Sequence, residues 1–151
     1  MVLWNGTCEV HELLTSEYVL KQKIQHPDYT LIAHPECNDA VLQIADFVGS
    51  TSAMINYVKT STNKKFLVAT ESGIVHQLKK DNPDKEFLIV TQNETCSCND
   101  CRYMKLNTLE KVLYSLENEK YEILLDDDLI EKAKKPIIKM LDLSKELGII
   151  K

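Results

Sequence analysis

Thr95-Cys96-Ser97-Cys98-Asn99-Asp100-Cys101 places three thiols within six positions and runs directly into a helical pattern. A structural zinc takes four ligands, usually as two CxxC pairs, and the sequence holds no second pair. An iron–sulfur cluster can gather cysteines from distant parts of a chain, and three thiolates leave one iron open as a Lewis acid. Taken alone, the thiols are consistent with iron–sulfur, with zinc or with incidental cysteines.

Three further stretches could carry chemistry. His34-Pro35-Glu36-Cys37 follows an apolar run, and the carboxyl end of a parallel strand is where open α/β sheets bind ligands. His and Glu are frequent acid–base partners, although a loop bearing a surface histidine and an exposed acid accounts for them equally well. Gly49-Ser50-Thr51-Ser52 joins Phe47-Val48 to a helical pattern, where hydroxyls and backbone N–H groups either hold an anion or simply cap the helix. Trp4-Asn5-Gly6-Thr7-Cys8 also follows an apolar run, which would put Cys8 at the same edge as His34 and Ser50. Glu71-Ser72-Gly73 and His76 read more plainly, as the start of a capped, partly exposed helix.

The elements that must position these groups follow from the apolar pattern. Val2-Leu3-Trp4, Leu31-Ile32-Ala33, Phe66-Leu67-Val68-Ala69 and Phe87-Leu88-Ile89-Val90 read as buried strands. Amphipathic stretches lie between them: Leu13 to Gln25 around Thr15 and Ser16, Ala40 to Ala45 behind Asn38-Asp39, and Ala53 to Val58 behind Ser50 to Ser52. Strict alternation implies βαβ units with right-handed crossovers, hence a three-layer α/β/α fold with a mostly parallel sheet over residues 1–92. Residues 93–151 read as the cysteine loop followed by helices. One opens at Asn107-Thr108-Leu109-Glu110, and a last one opens at Asp126-Asp127-Asp128, with Pro136 expected to kink or divide it. Beyond Tyr121 to Leu125 this region offers little strand, so its apolar helix faces need a partner from elsewhere. Self-association or poor solubility is expected of the chain alone.

Composition narrows the function classes. With 44% hydrophobic residues the chain can build a core, and its formal charge of −5, with lysines interleaved among acids, argues against a nucleic-acid or anionic-membrane surface. No apolar stretch approaches the ~20 residues of a membrane span, and Met1-Val2-Leu3-Trp4 lacks a basic leader pattern. Five cysteines, an odd number in a chain of this size, favour reduced thiols or metal ligands and a cytoplasmic setting.

Four ordered motifs resemble the quinolinate synthase family: Trp4-Asn-Gly-Thr-Cys8-Glu-Val-His11-Glu, His34-Pro35-Glu36, Ala45-Asp46-Phe-Val-Gly49-Ser50-Thr51-Ser52, and Cys98-x-x-Cys101-x-Tyr103-Met104-Lys-x-Asn107. The resemblance spans nearly the whole chain but only the C-terminal half of the family's length. It implies a [4Fe–4S] enzyme of NAD biosynthesis that condenses iminoaspartate with dihydroxyacetone phosphate to quinolinate. Cys8 and Cys101 would be two of three cluster ligands, and the third would come from an N-terminal half outside these residues. Cys37, Cys96 and Cys98 would be non-ligands, because the family pattern places its last ligand just before the aromatic-Met step. His34 and Glu36 would face the open iron, His34 binding substrate and Glu36 acting as acid–base group in dehydration. Pro35 would line the same site, and Ser50 and Thr51 would hold a substrate carboxylate. The tail helices would complete a missing N-terminal domain. Arg102 stands where the family usually has proline, so a looser turn after Cys101 is expected. Other readings are a zinc-binding or interaction protein built on Cys96, Cys98 and Cys101, and an inactive remnant of the enzyme.

Overall fold

The structure, a computed structural model, describes residues 6–91 and 99–150. The strand expected at Val2-Leu3-Trp4, together with Cys96 and Cys98, lies outside the described residues. Two compact units meet between Leu106 and Asn107.

In the first unit the elements run α1 (Glu9–Glu12), α2 (Ser16–Gln25), β1 (Thr30–Ala33), α3 (Asp39–Ile44), β2 (Phe47–Val48), α4 (Thr51–Thr60), β3 (Lys65–Ala69), α5 (Ile74–Asp81) and β4 (Glu86–Ile89). The four strands pair in parallel in the order β2-β1-β3-β4, with Ala33 opposite both Val48 and Ala69. Side chains alternate across the pleat, so each strand feeds two cores. Leu31, Ala33, Leu67 and Ala69 face a cluster with Leu14, Val19 and Val41 of the α2 and α3 side. Ile32, Phe66 and Val68 face the other, with Met54 and Val58 of α4 and Leu78 of α5. Helices therefore cover both faces, as the βαβ alternation requires.

Local signals set the helix starts. The Asn38 side chain accepts from Val41 N–H at 3.1 Å, and Ser50 Oγ accepts from Ala53 N–H at 3.3 Å. The first amphipathic stretch, expected over Leu13 to Gln25, forms α2 from Ser16 with Thr15 as its N-cap residue, and the short α1 lies ahead of it. Asp46, inside one of the family-like motifs, works at the amino end of the sheet. One carboxylate oxygen accepts from Leu31 N–H at 2.8 Å, and the other pairs with Lys23 Nζ at 2.8 Å, tying α2 to the strands.

Leu67 is fully buried at the centre of the sheet. Leu67→Ala should destabilise the first unit by about 2–5 kcal/mol, because the cavity cannot collapse against a strand paired on both sides. A lowered urea midpoint at unchanged slope is the expected reading.

The second unit holds α6 (Leu109–Asn118) and α7 (Asp127–Glu146). Thr108 Oγ1 accepts from Lys111 N–H at 3.3 Å, and Asp126 caps α7 through Asp128 N–H at 3.0 Å. Pro136 lies within α7, which continues across it as a single helix. Tyr121 to Leu125 forms no strand: Glu119 and Tyr121 have φ of 48° and 65°, a turn, and the residues after it are neither helix nor strand. None of the described residues of 107–150 is buried. No helix among the described residues is long and apolar enough to cross a membrane.

Candidate metal and catalytic site

The connection from β1 leads toward β2 on one side, whereas the connection from β3 leads toward β4 on the other. Adjacent strands whose chains depart in opposite directions leave a crevice at their carboxyl ends, the switch point where α/β sheets bind ligands. His34, Pro35 and Glu36 follow β1 at this crevice, and Thr70, Glu71 and Ser72 follow β3.

His11 of α1 fills the gap between the two strand ends. The ring is buried, 6% exposed, with Nδ1 3.1 Å from Glu36 Oε2 and Nε2 2.9 Å from Thr70 Oγ1. Burial, and then the neighbouring His34, lower its pKa from 6.5, outweighing the opposing pull of Glu36. In the neutral tautomer that fits an ionised Glu36, Nδ1–H donates to the carboxylate and Thr70 O–H donates to Nε2. His34 stacks on this ring with centroids 4.6 Å apart and planes 4° off parallel. Its Nδ1 accepts from Glu36 N–H at 3.3 Å, so the ring proton belongs on Nε2, which no described residue engages. The Glu36 side chain is 59% exposed and faces a cleft of about 570 Å³ shared with Gly6, Thr7 and Cys8.

Because His11 takes up a proton less readily folded than unfolded, its stabilising contribution is complete above about pH 6.5 and is withdrawn as pH falls below that value. The urea midpoint of the metal-free chain should therefore drop on acidification through this window. In His11→Gln that drop should shrink.

Cys8 is the N-cap residue of α1 and shares one turn with His11. A single ligand atom from each of Cys8, His11 and Glu36 lies within 4.8 Å of the others. Cys101, 93 positions later, lines the same cleft of about 430 Å³ as Cys8, with Thr7, Glu9 and Val10 on one side and Arg102 and Tyr103 on the other. Both thiols are partly buried and free of disulfides. Cys37 differs: burial pushes its thiol up to about 11, and its S–H donates to Ala69 O at 3.4 Å, so it stays protonated within the core. Arg102 does not leave the turn untethered, since its guanidinium pairs with Glu9 at 2.9 Å and lies 5.1 Å from the Tyr103 ring centroid.

Ser50 and Thr51 sit at the start of α4, beyond the carboxyl end of β2, where Gly49 N–H donates to Ala33 O at 3.1 Å. They share the functional edge with His34. No described hydrogen bond joins their side chains to the Cys8–Glu36 group. A cavity of about 740 Å³ lies elsewhere, along α6 and Tyr121, and is an uncovered helix face with no thiol or histidine in its lining.

The sequence is matched over residues 1–142 by the family model for Quinolinate synthetase A protein. The chain belongs to this family. Among curated quinolinate synthases, that of Synechocystis sp. is 46% identical over 144 residues, covering 95% of this chain and 45% of the relative. That of Chloroherpeton thalassium is 45% identical over 146 residues, covering 96% and 45%. The Thermosynechococcus vestitus protein is 46% identical over 145 residues, covering 95% and 46%. The chain thus spans somewhat under half the length of these quinolinate synthases, and the crevice described above lies wholly within the matched part.

Sequence reasoning singled out Cys8, His34, Glu36 and Cys101, and the structure gathers them around one crevice. It gave no role to His11, Thr70 or Asn99. His11 could have been found from its spacing, three residues beyond Cys8 on one helical turn. Thr70 had no signal, because only strand order places it opposite β1.

Proposed function

We propose that this chain is one portion of a [4Fe–4S] quinolinate synthase, completed by a segment corresponding to the rest of its relatives' length, in the same or another polypeptide. The observation that supports this most is the shared cleft of Cys8 and Cys101, beside Glu36 and its histidines. The donor set fits the cluster in kind: two free, partly buried thiols face one cavity, and soft thiolates are its ordinary ligands. A third thiolate would come from the completing segment.

The cluster, when bound through three thiolates, supplies a Lewis-acidic iron. The chain's own residues supply position and proton transfer. His34 Nε2–H is placed to donate to a substrate oxygen. Glu36, held by His11 through one oxygen, keeps the other for taking and returning a proton during dehydration. The N–H groups at the start of α4, with Thr51 Oγ1, would hold a carboxylate. The substrates on this reading are iminoaspartate and dihydroxyacetone phosphate, and a reducing compartment such as the cytoplasm would keep the thiols available.

A second reading is a mononuclear cation held by Cys8, His11 and Glu36, whose ligand atoms are already close. It is the weaker one, because both His11 ring nitrogens are engaged and coordination would break a buried hydrogen bond. Anaerobic assembly of the chain with the completing polypeptide, iron and sulfide separates the two. Iron and sulfide in equal amounts, with quinolinate formed, is the expected result. Zinc without sulfide, or metal content indifferent to Cys8→Ala, would overturn the enzyme reading. A cluster without quinolinate would mark an inactive remnant.

A further inference from the structure

The two thiols belong to segments far apart in the chain, and the chain must hold them together before any ligand does. Cys8 is anchored through His11, whose Nε2 meets the Thr70 hydroxyl. Cys101 is anchored to the same strand end. Asn99, only 3% exposed, donates its side-chain N–H to Thr70 O at 3.1 Å, and its backbone carbonyl accepts from Ser72 N–H at 3.1 Å. Ser72 O–H also donates to the Asp100 carboxylate.

Glu71 sits at the centre of this arrangement, its side chain 18% exposed. Its Oε2 accepts from Gly73 N–H at 2.7 Å, while its Oε1 accepts from the Cys101 backbone N–H at 3.4 Å and lies 3.5 Å from Lys105 Nζ. The carboxylate fits there because residue 73 has no side chain, since a Cβ on Gly73 would stand 2.7 Å from Glu71 Oε2. Gly73 has φ −60° and ψ −25°, an ordinary helical conformation, so glycine is not needed for the backbone. The vacancy serves the carboxylate.

We propose that Glu71 is the positioning residue of the thiol pair: seated in the space left by Gly73, its carboxylate tethers the Cys101 backbone to the end of β3, opposite Cys8. This rests on reading Cys8 and Cys101 as one site, and it gives Glu71 no contact with substrate. Lys105 balances the charge, so the tether adds little net negative charge beside the thiolates. Glutamine at 71 would keep one acceptor oxygen and put an N–H donor in place of the other, whereas alanine would lose both acceptors.

Dibromobimane tests this without any cluster. Each arm alkylates one thiolate with loss of bromide, and only the doubly attached product fluoresces strongly. Once one arm is attached the second alkylation is intramolecular, so its rate reports the effective concentration of one thiol about the other. The probe is applied to the full chain carrying Cys37→Ser, Cys96→Ser and Cys98→Ser. The expected result is a bridged product that disappears with Cys8→Ser or Cys101→Ser. Glu71→Ala should slow the second alkylation, relative to the first, roughly fivefold to tenfold. Glu71→Gln should fall between the parent and Glu71→Ala, because its one carbonyl oxygen can still accept from the Cys101 N–H but not from the Gly73 N–H as well. Gly73→Ala should slow it like Glu71→Ala by evicting the carboxylate, and it decides the matter should Glu71→Ala not fold. A parent chain that forms no bridge overturns the shared site and the tether with it. A bridging parent whose second step is unchanged in Glu71→Ala and Gly73→Ala overturns the tether alone.

Discussion

Cys8→Ser, in the chain assembled with its completing polypeptide, is expected to lose the sulfide-dependent visible absorption and quinolinate formation together. A serine hydroxyl is a hard, weakly acidic donor, and it cannot replace a thiolate in holding iron. The substitution is nearly isosteric at a partly buried N-cap position, and serine is a favoured N-cap residue, so the helix itself should not suffer. Loss of the chromophore with an unchanged far-ultraviolet spectrum would therefore locate the defect at the ligand. Cys101→Ser should behave in the same way. Cys37→Ser should retain the absorption, because that thiol is protonated and bonded to Ala69 O in the core. The three variants together separate ligands from bystanders, and a Cys37 variant that loses the cluster would contradict the assignment.

Glu36→Gln should lower the turnover of the assembled enzyme by about 10²–10⁴-fold while leaving the cluster spectrum intact, the range typical of removing a general acid–base group. The amide keeps the size of the side chain and can still accept from His11 Nδ1–H, so the ring network survives while the proton carrier does not. The fall should appear in kcat more than in KM, because proton transfer is needed in the transition state and not for binding. A glutamine variant with at least a tenth of parental turnover would show that the proton travels by another route.

Much of the framework could be read directly from the residues. Strands at Leu31–Ala33, Phe66–Ala69 and Phe87 onward follow from apolar runs, and capping by Asn38, Ser50, Thr108 and Asp126 follows from residue type. These are local signals, set within a few residues. Strand order is a long-range property, and with it went the pairing of Thr70 with His11 across 59 positions and of Asn99 with Thr70 across 29. Glu71 shows the same limit. Its spacing to Gly73 suggested an ordinary helix start, and that bond is present, but the second use of the carboxylate depends on a loop arriving from 30 residues away. Pro136 allows two outcomes on sequence alone, a kink or a division of the helix, and the structure shows no division. Its ring forbids one backbone hydrogen bond, yet a 20-residue helix continues through it.

That none of the described residues of 107–150 is buried bears on the fate of the chain in a cell. Leu109, Leu116, Ile123 and Leu147 are each more than 70% exposed, and such side chains are what chaperones grip and degradative proteases admit. On the proposed reading, the segment that makes up the rest of the relatives' length would cover these faces, and a chain lacking it should be short-lived.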